Sequence, residues 1–360
     1  MRSLEIKRII SCAIFFSLLI NVTHLSVLQA NEPVEAISIT FSGDILPHES
    51  LYRKAKTIDG YNFDFAFKNI SPYLSGDINI CHLETTLTAH KPTSYPSFST
   101  PYQIASAIKN AGYQGCDVAS NHILDKGFNG LNLTYQKLNE VGLVVAGVNP
   151  DSKEEGEASF LVNDIKVTLL AYTYGTNGIK DPVGHEGVVN RITASKILKD
   201  ASRAKSKGAD IVLIYLHWGK EYQEKPTSSQ MELAEDLLAS TAINAVVGSH
   251  VHVLQKAVAV NGKPLVYGMG NFWSGQGSWS GQPEGQFGEI IKLNFKRIAP
   301  QSFEYVNGSV TPTYVKSSDW SIYPALSSKQ GYYQTVSCAA LKKVKQLQGA
   351  LLKTPPLCRP

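Results

Sequence analysis

Six short apolar runs in this 360-residue chain each give way to a small polar cluster, and stretches of helical periodicity separate them. Residues 37–42 stop at Gly43-Asp44, 78–81 at His82-Leu83-Glu84, and 116–119 at Ser120-Asn121-His122. Further on, 211–216 stop at His217-Trp218-Gly219, 245–247 at Gly248-Ser249-His250, and 265–267 at Gly268-Met269-Gly270-Asn271. Between them, 102–110, 131–141, 194–207 and 228–241 carry apolar residues at three- and four-residue spacing; the last has Thr227 and Ser228 as candidate N-caps. Strands alternating with amphipathic helices predict an α/β fold, with every polar cluster at the carboxyl end of a strand.

In open α/β sheets, ligands bind beyond those carboxyl ends, so the side chains gathered there are the candidate site. They are Asp44, Glu84, Asn121, His122, His217, His250 and His252. Taken singly, each has an ordinary explanation: an Asp after a strand is usually a turn former, and a lone Asn-His pair fits a left-handed turn beside a half-buried histidine. Their joint occurrence at successive strand ends is far harder to explain by packing. The donors are oxygen and imidazole without thiolate, which suits a hydrolytic Mn, Zn or Fe centre better than a structural zinc knot. His250-Val251-His252 leaves a buried strand through a sharp turn, and a carboxylate such as Glu84 is the usual bridge between two cations.

The series GDILPH (43–48), HLETTL (82–87), ASNHILDKG (119–127), LHWGKEY (216–222), GSHVHVLQ (248–255) and YGMGNFW (267–273) resembles the motifs of the CapA/PgsA capsule and poly-gamma-glutamate biosynthesis proteins. These are similar to calcineurin-like metallophosphoesterases. The resemblance covers residues 37–273 and implies a metallophosphatase sandwich, two β-sheets flanked by helices. It further implies two divalent metal ions, with Asp44 on the first, Glu84 bridging, Asn121, His217 and His250 on the second, and His252 returning to the first. His122 would protonate the leaving group, with Asp125 orienting it, in a hydrolysis driven by a metal-activated water. Two positions depart from the pattern. Leu46 stands where related phosphoesterases carry the histidine of Asp-x-His, with His48 two residues later, and His82 replaces the Asn of Asn-Leu-Glu. His82 is left open as an extra ligand, a partner of a ligand, or a neutral replacement. The resemblance implies a cell-envelope polymer or phosphorylated substrate, and other capsule or polymer synthesis components as partners. A non-catalytic polymer-binding factor and an amide hydrolase on a poly-glutamate-like polymer remain as rivals.

The first 30 residues read as a signal peptide: Arg2, Lys7 and Arg8 precede an apolar stretch, 9–20, too short to span a bilayer comfortably, and Ala30 closes the segment. An uncleaved anchor is the alternative; both readings place the bulk of the chain outside the cytoplasm. Losing three basic residues and one acidic residue takes the formal charge from +4 to about +2, which gives no footing for nucleic acid. Residues 31–297 are expected to form the metallophosphatase-like domain and 298–360 a C-terminal extension, with a strand pair around 303–315. Among the cysteines, Cys338 and Cys358 are the expected disulfide, and Cys81 and Cys116 are read as small apolar residues at buried strand ends. Residues 91–101 and 273–287 are long loops, surface excursions or substrate-facing segments. Tyr95, Phe98, Tyr102, Tyr222 and Trp273 flank the motifs as groove or packing aromatics.

Overall fold

The computed structural model describes residues 36–150, 156–325, 332–348 and 351–356. The expected signal segment and Cys358 lie outside that range.

The first sheet starts with β1 (Ala36–Leu46), β2 (Ile78–Leu83), β3 (Gly115–Asp117) and β4 (Val144–Ala146). The second is built from β5 (Glu157–Val162), β6 (Ile165–Thr173), β7 (Ile211–His217), β8 (Ala245–Ser249), β9 (Ala257–Val260) and β10 (Lys263–Val266). The chain then returns to the first with β11 (Asn271–Ser274), β12 (Phe287–Ala299), β13 (Ser302–Lys316) and β14 (Ser321–Pro324). Strand order is β14-β13-β12-β1-β2-β3-β4 in one sheet, with β11 beside β1, and β9-β10-β8-β7-β6-β5 in the other. The runs β1-β2-β3-β4 and β6-β7-β8-β10 are parallel. Covered on both faces, their strands read as unbroken apolar runs; β7 is buried from end to end.

The two sheets face each other across one core in which Ile39, Phe41 and Ile80 meet Val167, Leu213 and Val247. Helices α1 (Glu49–Ala55), α2 (Asp64–Phe67), α3 (Ile104–Ala111) and α4 (Gly127–Glu140) seal the outside of the first sheet, Ile104, Ile108, Leu131 and Leu138 packing with Leu83 and Val118. Helices α5 (Ala194–Ser206) and α6 (Ser228–Ala239) do the same for the second. Each fully buried Leu, Ile or Val contributes about 1.5–3 kcal/mol, so these layers dominate the stability. The observed α6 starts with a capping box, Thr227 accepting from the Gln230 N–H and the Gln230 side chain from the Thr227 N–H. The final helix, α7 (Tyr332–Gln348), lays Ala340, Leu341 and Val344 into the inter-sheet core. Gln348 at its end donates to the Gln255 carbonyl at 2.9 Å and to Glu289 Oε1 at 2.7 Å.

Two expectations are corrected. Cys81 and Cys116 are joined in a disulfide. They are direct partners on adjacent parallel strands, a register that residues 35 apart in sequence do not reveal. Cys338 is disulfide-bonded, while Cys358 is outside the described residues. Second, the segment around 303–315 is one long strand paired with β12, not a strand pair of its own. It and β14 continue the first sheet into the region read as a C-terminal extension.

One irregularity sets up the site. β1 pairs with β12 through Ser42 and then takes β11 as its neighbour from Asp44 onward. Gly43 is at the crossing, where a Cβ would stand 2.2 Å from the Gly270 carbonyl oxygen, so only glycine lets the two backbones approach. The Asp44 N–H donates to that oxygen at 2.9 Å, and Asp44 becomes the direct partner of Asn271.

Candidate metal centre

The strand ends bring all seven sequence-derived candidates into the interior: Asp44, Glu84 and His217 are fully buried and Asn121, His122, His250 and His252 nearly so. Two triples have ligand atoms within 4.8 Å of one another, Asp44–Glu84–His252 and His82–Glu84–His217. Glu84 belongs to both. Neither of its carboxylate oxygens has a hydrogen-bond partner, an arrangement that burial makes costly unless a cation takes the position.

On the first side, His252 Nδ1 lies 3.0 Å from Asp44 Oδ2, 3.1 Å from Asn271 Oδ1 and 3.8 Å from Glu84 Oε2. On the second, His217 Nε2 faces Asn121 Oδ1 at 2.8 Å and Glu84 Oε1 at 3.5 Å. His250 joins this side through its ring, 4.6 Å from that of His217, and its buried Nδ1 has no partner. One imidazole proton cannot serve several converging acceptors, whereas a divalent cation satisfies them together. The donor set therefore fits two cations flanking Glu84.

Burial pushes the Glu84 carboxyl up to about 7, although the charge on His252 pulls the other way. Burial works against a charged His252 too, but the Glu84 charge and the Asp44 hydrogen bond carry it up to about 9. His217 and His250 are held well below the usual imidazole range by burial, next by neighbouring histidines, and so present lone pairs.

The His250-Val251-His252 turn is strained: φ is 88° at His250 and 59° at His252, a region that non-glycine residues rarely enter. Val251 between them is buried, and its carbonyl accepts the Tyr222 N–H at 2.8 Å. A Cβ on Gly268 would lie 2.6 Å from its Cγ2, so this glycine makes room for Val251.

His122 and Asp125 pair at 2.8 Å through Nδ1, and Asp125 Oδ2 also accepts the Phe98 N–H at 2.6 Å. His48 belongs to neither ligand triple; its Nδ1 sits 3.0 Å from the Leu46 carbonyl oxygen and 3.2 Å from the Gly275 nitrogen. Of the flanking aromatics, Phe98 and Trp273 are core residues and Tyr102 is half-buried. Tyr95 and Tyr222 are exposed, and Tyr222 lies 5.8 Å from the His252 ring. Tyr174, unremarked in the sequence, is 4.6 Å from His250.

Residues 38–276 match the family described as bacterial capsule synthesis protein PGA_cap. The chain belongs to that family. It is 29% identical over 278 residues to the capsule biosynthesis protein CapA of Bacillus anthracis, covering 72% of this chain and 66% of the relative. It is 26% identical over 285 residues to the PGA biosynthesis protein CapA of Bacillus subtilis, covering 75% and 70%. Among solved structures, the calcineurin-like phosphoesterase YfkN of Bacillus subtilis superposes with a TM-score of 0.48 at 14% identity, over 87% of this chain and 98% of that one. A phosphatase of Mycoplasma pneumoniae gives 0.47 at 15% identity, over 78% and 94%.

Within this PGA_cap chain, the structure places His82 behind His217. Its Nδ1 bonds Asp117 Oδ2 at 2.6 Å and its Nε2 meets His217 Nδ1 at 3.0 Å. With its Nδ1 proton held by Asp117, His82 in its neutral form would share the His217 Nδ1–H with Ser249 Oγ, 3.1 Å from that nitrogen, and leave the His217 Nε2 lone pair facing Asn121 and Glu84. His82 thus fixes the orientation of the His217 ring. Burial alone would lower its pKa, but Asp117 beside it raises it. Asp117 escaped the sequence reading because it ends an apolar strand three residues before the conspicuous Ser-Asn-His cluster; Asn271, although read at a strand end, was not counted among the candidates.

Proposed function

We propose that this chain is an exported dinuclear metal-dependent hydrolase acting on a phosphoester in capsule or poly-gamma-glutamate assembly. The observation that carries the reading is Glu84, a wholly buried carboxylate with both oxygens unpartnered, set between two groups of converging donors. Asp44, His252 and Glu84 would hold one cation and Glu84, Asn121, His217 and His250 the other. When bound, two divalent cations would supply Lewis-acid polarisation of the scissile group and lower the pKa of a water.

The rest of the chemistry belongs to the protein. Asp125 holds His122 by Nδ1 and leaves Nε2 to hand a proton to the departing oxygen. Tyr174 and Tyr222, half-exposed beside the two halves of the centre, offer faces for the part of the substrate that does not react. The Cys81–Cys116 disulfide and the apolar segment 9–20 support a location outside the cytoplasm. No helix among the described residues is long and apolar enough to cross a membrane.

The test is metal content by plasma emission on protein purified without chelator, paired with hydrolysis of a generic phosphodiester and phosphomonoester. Two equivalents and turnover in the native chain, both lost in a Glu84→Ala, His252→Ala double variant, are the expected result. Bound metal with both reporters intact would move the reading to an amide hydrolase on a poly-glutamate-like polymer. No bound metal would replace it with a polymer-holding assembly factor.

A further inference from the structure

We propose that Asn271 supplies the first cation with the ligand that Leu46 cannot, a proposal that rests on the dinuclear reading above. Position 46 is a buried leucine, and the nearby His48 does not replace the missing imidazole. Neither of its ring nitrogens joins the Asp44–Glu84–His252 group, and its ring packs edge-on against Phe98 at 5.1 Å.

Asn271 enters from the other neighbour of β1. It is the direct strand partner of Asp44 and is fully buried. Its amide orientation is fixed, because Nδ2 donates to the Gly285 carbonyl at 2.8 Å and to Gln276 Oε1 at 2.9 Å. The Gly285 oxygen can only accept, so the Asn271 atom facing it must be the nitrogen, and Oδ1 is left facing His252. There it lies 3.1 Å from His252 Nδ1, which itself lies 3.0 Å from Asp44 Oδ2. A carboxylate, a carboxamide oxygen, an imidazole nitrogen and Glu84 then converge on one position. Amide oxygens are ordinary ligands for hard divalent ions, and a carboxamide tethered on its nitrogen side is preorganised for that role.

The experiment titrates metal-free protein with Co(II), following heat and the visible d–d bands, for the native chain, Asn271→Ala, Asn271→Asp and His48→Ala. The native chain is expected to take two equivalents. Asn271→Ala is expected to keep one of them at native affinity and weaken the other by about 10- to 100-fold. The band intensity of the weakened site should change as its coordination number falls. Asn271→Asp retains an oxygen at the same reach but turns its second oxygen toward the Gly285 carbonyl, so without metal it should melt below the native chain, gain more than the native chain does from Co(II), and bind more tightly than Asn271→Ala. His48→Ala should match the native chain. The proposal is overturned if Asn271→Ala binds both ions as the native chain does, if its weaker site keeps the native band, if Asn271→Asp loses the ion as Ala does, or if His48→Ala is the variant that loses it. Failure of the native chain to bind Co(II) would overturn this proposal and the dinuclear reading together.

Discussion

Glu84 and Glu289 are both completely buried carboxylic acids, yet the two regions around them differ in kind. Glu289 lies on β12 against the end of α7, where one oxygen accepts from Gln348 and the other has no partner. Burial raises its pKa well above the carboxylate range, and the single amide only partly opposes this. Glu84 is as buried, but His217 and His252 face it from either side. Burial and a raised pKa therefore do not by themselves mark a site. What separates the two is the set of lone pairs aimed at the same space, which Glu84 has and Glu289 lacks.

The same substitution at both positions is the sharpest test of that difference. Glu84→Gln should weaken the binding of both cations by more than about 100-fold, beyond what outer partners of a ligand contribute, while Glu289→Gln leaves calorimetric metal affinity within about twofold. Equal affinities in the two variants would erase the distinction. A second test concerns the support of the Glu84 region. The Cys81–Cys116 bond sits one register step before His82 and Asp117 and closes a span of 35 residues. Replacing both cysteines by alanine should cost about 3–4 kcal/mol in denaturant unfolding, on the chain-entropy account. A cost near zero would show that the sheet alone keeps that register.

A smaller effect is expected from Asp117→Asn, which removes the anion that fixes the His82 proton. The second cation should bind about 10- to 100-fold more weakly, with the first unaffected, in the same titration. Loss at the first cation instead would mean that His82 does not act through His217. The smallest effect belongs to Glu289. Its folded pKa is raised from 4.5, so the folded state keeps a proton that the unfolded chain gives up, and stability falls as pH rises above about 4.5. Glu289→Gln should therefore melt with the native chain near pH 4 and about 2–4 °C above it at pH 8, as read by calorimetry. A gain that is larger at pH 4 would reverse the sign and remove Glu289 as a neutral buried acid.

Much of this was legible in the sequence. The parallel strands announced themselves because burial on both faces demands apolar runs, and the polar residues that end those runs had nowhere to go but the open end of the sheets. That is why Asp44, Glu84, Asn121, His122, His217, His250 and His252 could be placed together at that end from position alone. The disulfide could not, since Cys81 and Cys116 become neighbours only once β2 and β3 pair in register. Asn271 was hidden for a related reason: its importance comes from β1 changing partners at Gly43, an irregularity that periodicity does not express. Asp117 looked like part of a strand because it is one, its carboxylate turned to a histidine 35 positions earlier.

The buried Val251 between the two strained histidines has an evolutionary corollary. It acts as a rivet, seated in the space that Gly268 leaves, and residue 268 cannot grow unless residue 251 shrinks with it. A chain fastened in this way keeps its two imidazoles in place while its outer loops diverge. Change in what such proteins accept is then expected to accumulate in the segments around Tyr95, Tyr174 and Tyr222, and the turn itself to be inherited nearly untouched.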